Sequence, residues 1–186
     1  MRLKQALFFA LCVLCALCAA AAQAQQPLGR ESGHDPGRST LTLARGGDSL
    51  VLDPARAYDT DSTLATAHIY EGLVRLKDGS AQIEPALAES WTVSPDGLAW
   101  TFRLRQGVLF HDGTVLVAQA VVASFMRQID PKHPNHAPGM YQARSLFARV
   151  AAVEALDDAT VRIRLTRPTA ALLAALASPC AAIISP

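Results

Sequence analysis

Between Ile83 and Thr114 the chain reads IEPALAESWTVSPDGLAWTFRLRQGVLFHDGT. This block constrains the fold more than any other. Ser94-Pro95-Asp96-Gly97 is turn chemistry, because Pro presets φ and Gly accepts a positive one. After it, Trp100, Phe102 and Leu104 alternate with Thr101, Arg103 and Arg105. A period of two gives a strand with one apolar and one basic face. Ser90 to Val93, before the turn, is its expected hairpin partner. Gly107 and Asp112-Gly113 then break the chain again. Nothing in the block resembles a catalytic centre.

The rest of the chain mixes strands and helices without a strict βαβ repeat. Leu41 and Leu43 mark a first short strand. Asp61 or Ser62 is expected to cap a helix carrying Leu64, Ala65, His68, Ile69 and Tyr70, with Gly72 as its C′ residue. Leu73 to Leu76 reads as a strand before a Lys77-Asp78-Gly79 turn. A helix is expected from Thr114, since Ala118, Val121, Val122, Phe125 and Ile129 share one face at helical spacing. Asp130 to Tyr141 is a loop rich in Pro and His. Phe147–Leu156 and Thr160–Leu165 read as strands around an Asp157-Asp158 turn, and Thr169–Ala177 as an Ala/Leu helix.

The N-terminus reads as a secretory signal over residues 1–24. Arg2 and Lys4 precede an apolar run from Ala6 to Ala22, and Ala22-Gln23-Ala24 is a cleavage site. The run is short for a membrane span, which needs about 20 apolar residues. Cys12, Cys15 and Cys18 lie in that run, so Cys180 alone stays in the mature chain. Residues 25–38 read as a disordered lead-in. With Arg2 and Lys4 set aside, 15 basic residues stand against 16 acidic ones. No basic stripe points to nucleic acid.

Pro85-Ala86-Leu87-Ala88-Glu89-Ser90-Trp91, Ser94-Pro95-Asp96-Gly97, Trp100 to Arg105 and Phe110-His111-Asp112-Gly113-Thr114 carry a wider resemblance. So do Leu52-Asp53-Pro54, Tyr70-Glu71-Gly72-Leu73, Asp130-Pro131, Val153 to Asp158, and the stretch from Ser178-Pro179 to Ser185-Pro186. In that order and spacing the chain resembles family 5 of the extracellular solute-binding proteins. These are the dipeptide, oligopeptide, nickel and glutathione receptors of ABC importers. The helix after Thr114 departs from the family pattern: Val115 and Val117 stand where Pro and Thr are usual, and Ala120 where an acid is. It thereby loses capping groups worth roughly 1 kcal/mol each.

The resemblance implies a mixed α/β fold, the N-terminal portion of a class II periplasmic-binding-protein lobe within a two-lobe fold. Residues 39–72 would begin the first lobe and 73–186 continue it as a hairpin-rich subdomain, left incomplete. It further implies a monomeric periplasmic receptor that hands a peptide or other small solute to an inner-membrane permease, with no cofactor. The ligand would lie between lobes, held partly as an added strand. The loop after Leu52-Asp53-Pro54 would supply Tyr58, Asp59 and Thr60: an aromatic wall, and a carboxylate for a ligand ammonium. The alternative for the acids is capping of the next helix. Met140 and Tyr141 are a second candidate contact. The Ile83–Thr114 hairpin is expected to lie away from the ligand.

Two other classes are weaker. Gly47-Asp48-Ser49-Leu50 spells the nucleophile motif of GDSL esterases, in which Ser49 would attack an acyl carbon with His and Asp support. Their Gly-x-Asn-Asp and late Asp-x-x-His blocks are missing here. The chain could also be a non-functional fragment of the binding-protein fold. His133-x-x-His136 has no carboxylate or Cys partner for a metal, and no metal-ligating or catalytic residue is assigned.

Overall fold

The computed structural model describes residues 42, 44–136 and 147–186. The signal segment, the lead-in, Leu41 and Leu43 of the expected first strand, Met140 and Tyr141 lie outside the described residues. Among the described residues secondary structure begins with α1 (Thr60–Ile69), followed by β1 (Val74–Leu76), β2 (Ile83–Pro85), β3 (Ala88–Val93) and β4 (Ala99–Leu104). Next come α2 (Ala118–Ile129), β5 (Val150–Asp157), β6 (Thr160–Leu165), α3 (Leu172–Leu176) and a 3-10 turn at Pro179–Ala181. β1 and β2 form an antiparallel pair, and the other four strands form an antiparallel sheet in the order β3-β4-β6-β5.

The Ile83–Thr114 block folds as its pattern predicts. Trp91 opposes Phe102 and Val93 opposes Trp100 across the hairpin. Gly97 closes the turn at φ 70°, in the left-handed region that favours glycine. Trp100, Phe102 and Leu104 are buried while Arg103 is exposed. From β6, Val161, Ile163 and Leu165 join them in the core. Arg103 and Arg164 stand on the solvent face with Glu89 and Glu154 as ion partners. Such exposed pairs contribute little, about 0–1 kcal/mol each.

α2 covers the core face of the sheet at β5 and β6. Val121 and Phe125 are buried, and the Phe125 ring meets Phe147 edge to face at 5.2 Å. The helix starts at Ala118, four residues later than Thr114. The Thr114 amide and hydroxyl both donate to Asp112 Oδ1, at 2.9 and 2.6 Å, and Leu109 bridges Val115 in antiparallel fashion. Those bonds hold the segment out of helical geometry. Val117 is the N-cap and supplies no side-chain bond, as the departure from the family pattern implies. The Asp158 carbonyl accepts from the Ala118 amide instead, at 2.8 Å.

Three other boundaries differ from expectation. α1 is capped by Asp59, not Asp61 or Ser62, and ends at Tyr70 in extended conformation. Gly72 is therefore no C′ residue. It lies where a Cβ would come within 3.1 Å of the Leu176 carbonyl oxygen, so close backbone approach explains it. The Ala/Leu helix shrinks to α3, because the Ala171 amide is taken by Thr169 Oγ1 at 3.2 Å. β5 begins at Val150, and Phe147 lies in the turn before it.

Candidate solute-facing loop and adjoining groove

The loop from Leu50 to Asp59 is fastened at both ends. At its start, the Leu50 and Val51 amides donate to Ser62 Oγ at 2.9 and 3.1 Å. Ser62 is fully buried on α1. α1 buries Ser62 and Thr66 but leaves Leu64 and Ile69 40% and 38% exposed. Ser62 thus anchors the helix to the loop, while the Thr66 hydroxyl bonds the Thr63 carbonyl within α1, and the expected apolar face is not the buried one.

Further along, Asp53 organises the turn. Its carbonyl accepts from the Arg56 and Ala57 amides, both at 3.0 Å, and its Oδ1 accepts from the Ala55 amide at 3.0 Å. Arg127 of α2, almost wholly buried, closes a bidentate pair on the same carboxylate. Nη1 donates to Oδ2 at 2.8 Å and Nη2 to Oδ1 at 2.7 Å. Burial pushes the Asp53 carboxyl up, but the Arg127 hydrogen bonds and charge outweigh it and hold the group below the usual range.

The expected site residues follow this turn. Tyr58 is 57% exposed. Asp59 Oδ1 accepts from the Ser62 amide at 2.8 Å, so the capping role is present. Bonds from Ser62 lower its pKa. The other carboxylate oxygen, Oδ2, is shut from solvent and has no hydrogen-bond partner among the described residues. Thr60 opens α1 and is exposed.

A groove of about 730 Å³ adjoins the loop, lined by Leu52, Ile69, Tyr70, Phe110 and Ile183 among others. One side is the extended segment Ile183–Ser185. The Ile183 amide donates to the Glu71 carbonyl at 2.9 Å. Buried Ser124 of α2 takes the next residue from both sides: its Oγ accepts from the Ile184 amide at 3.0 Å and donates to the Ile184 carbonyl at 3.3 Å. Gln128 Nε2, one helical turn on, donates to the Cys180 carbonyl at 3.2 Å. Ser185 Oγ donates to Asp112 Oδ2 at 2.6 Å.

That last contact carries a pH signature. The Ser185 bond, followed by those from Thr114, lowers the Asp112 carboxyl to about 2. A carboxyl lowered on folding stabilises fully above its unfolded value, and the effect is lost as pH falls through the folded one. Here that window runs from 3.8 down to about 2. The Asp112 carboxyl carbon should titrate by NMR near pH 2, and Ser185→Ala should move the midpoint upward. An unmoved midpoint would remove Ser185 as the cause.

The remaining chemical candidates find structural partners. Ser49 Oγ accepts from Arg45 at 2.8 Å and donates to the Asp61 carbonyl at 3.2 Å, and no histidine is among its hydrogen-bond partners. The esterase reading has no support here. His133 Nδ1 accepts from the Asn135 amide, and His136 Nδ1 bonds the Arg127 carbonyl at 2.8 Å. Among the described residues no cluster of three or more His, Cys, Asp or Glu could hold a metal ion. Asp157 caps its turn through the Ala159 amide. Cys180 is buried, which pushes its thiol up and away from reactivity.

Comparison with known proteins agrees with the fold. The model of bacterial extracellular solute-binding proteins, family 5 (middle) matches residues 82–185. The chain belongs to this family. It is 40% identical over 146 residues to the glutathione-binding protein GsiB of Escherichia coli K12, covering 78% of this chain and 27% of that protein. It is 42% identical over 149 residues to di/tripeptide-binding protein 2 of Pseudomonas aeruginosa, covering 72% and 27%. The periplasmic binding protein DppA of Helicobacter pylori, solved with the peptide STSA, superposes with a TM-score of 0.68 at 38% identity, over 75% of this chain and 30% of that one. The fold is thus a mixed α/β portion of a periplasmic binding protein, spanning about a quarter of the length of the curated relatives it matches.

Proposed function

We propose that this chain supplies one wall of the solute site in the binding component of an ABC importer, acting in the periplasm after removal of residues 1–24. The observation that carries the reading is the Leu50–Asp59 loop. It is tied down at Leu50, Val51 and Asp53 yet presents an exposed Tyr58 next to the half-buried Asp59. Relatives are named for binding glutathione and di/tripeptides, and a short peptide or a similar amine-bearing solute suits this surface. Tyr58 would cover the peptide's flank, Asp59 would attract its ammonium, and Thr60 would hydrogen-bond its backbone. Met140 and Tyr141 would add a second contact. The protein then works without covalent chemistry: it captures, closes and delivers the solute to a permease as a monomer.

One wall alone binds weakly, because the half-enclosed solute keeps much of its hydration. With the isotope-labelled chain, tri-alanine or glutathione should shift the Tyr58, Asp59 and Thr60 amides at a Kd of about 1 mM or weaker, near −4 kcal/mol. The β4 amides should stay still. Shifts confined to other elements, or none at 10-fold that concentration, would refute the site. Micromolar affinity would refute the one-wall reading.

A further inference from the structure

We infer that Arg127 is a positioning residue for solute capture, acting through Asp53 to set how the Tyr58–Thr60 surface stands against the rest of the fold. The inference rests on the solute reading of that loop. The two fastenings of the loop differ in kind. Ser62 belongs to α1, which continues directly from the loop, so its bonds to Leu50 and Val51 fold the segment back on itself. Arg127 comes from α2, 74 residues further along the chain, and α2 packs on the sheet. It is the described side chain that ties the turn at Asp53 to that independent frame.

The geometry suits orientation. A guanidinium fork on a carboxylate fixes both distance and plane, which a single donor does not. Both Asp53 oxygens are engaged, and Oδ1 also takes the Ala55 amide. The carboxylate therefore transmits the plane of the fork to the backbone at Ala55. Two further amides, of Arg56 and Ala57, close on the Asp53 carbonyl. Pro54, Ala55 and Ala57 are buried, so the turn has a packed floor, and Tyr58 leaves it toward solvent. Rotation of the Asp53 carboxylate would carry Tyr58 and Asp59 with it.

Amide exchange and peptide titration on the full chain test this, using Arg127→Lys, Arg127→Met and Asp53→Asn. Exchange at Ala55, Arg56 and Ala57, divided by exchange in β4, separates local opening from global loss of stability. We expect that ratio to rise about tenfold or more in Arg127→Met and Asp53→Asn, and less in Arg127→Lys, which keeps the charge but not the fork. Tri-alanine-induced shifts at Tyr58–Thr60 should vanish in the first two while β4 stays protected. A ratio that does not change, or peptide shifts that survive a raised ratio, would overturn the positioning role. A wild-type chain without peptide shifts, but with the variant-dependent ratio, would sink the solute reading and uphold the lock on the loop. If Arg127→Met does not fold, Asp53→Asn, which preserves side-chain volume, supplies the ratio.

Discussion

Phe102→Ala is expected to lower unfolding stability by about 3–5 kcal/mol, the range for truncating a fully buried aromatic side chain. Phe102 is 0% exposed at the centre of β4, with strands on both sides. Trp91 faces it across one pairing, with ring centroids 6.3 Å apart, and Val161 across the other. Removing the ring forfeits its transfer energy, opens a cavity between β3 and β6, and ends an aromatic contact worth about 0.5–1.5 kcal/mol. Phe102→Leu refills most of the volume and should cost under about 1.5 kcal/mol. Val93→Ala, at a position 44% exposed on the same hairpin, should stay within roughly 0.5 kcal/mol. Urea denaturation of the three variants gives the comparison. A Phe102→Ala loss no larger than that of Val93→Ala would mean that the hairpin is not the centre of the core.

The hairpin was legible because its information is local. The Ser94–Gly97 turn and the alternation that follows specify register within a dozen residues, and the buried set Trp100, Phe102 and Leu104 follows from period two. The apolar face of α2 was legible for the same reason. Its start was not, because Asp112 captures Thr114 through a side chain, a competition that apolar spacing does not register. The α1 cap is Asp59, two residues before Asp61 and three before Ser62, because Asp59-Thr60-Asp61-Ser62 are four successive types that all cap well; the alternative of capping by the acids, set against ligand contact, is the one Asp59 fulfils. Tyr58 to Thr60 emerged only through the family resemblance. Asp53–Arg127 and Ser124–Ile184 join positions 74 and 60 residues apart, so no window contains both partners. One signal was available: Ser124, Arg127 and Gln128 form a polar i, i+3, i+4 stripe beside the apolar face of α2. All three are buried, and each reaches a distant segment. A polar stripe on a core helix marks where the helix holds distant segments by hydrogen bonds rather than by apolar packing.

Ser124→Ala turns that idea into a measurable effect of about 1–3 kcal/mol, the cost of leaving a buried polar group without its partner. Ser124 is 0% exposed and makes reciprocal bonds with one peptide unit's worth of groups, the Ile184 N–H and C=O. Alanine removes the hydroxyl but almost no volume, so packing changes little and the loss reports hydrogen bonding. Ile184 is only partly buried, which lets water satisfy it if the segment lifts. That competition sets the lower end of the range. Two readouts therefore move together: the denaturation midpoint falls, and the Ile183 and Ile184 amides lose exchange protection before β4 does. Gln128 and Asp112 hold Cys180 and Ser185 on either side, so the lifted stretch should be confined to the residues between them. A cost below about 0.5 kcal/mol, the level of an indifferent surface substitution, would show that the Glu71 bond to the Ile183 amide and the flanking bonds from Gln128 and Asp112 hold this edge of the groove without Ser124. A cost in the expected range would make Ser124 the residue that keeps the Ile183–Ser185 side of the groove in place next to the loop locked by Arg127. One face of α2 would then set both the loop and the adjoining groove wall.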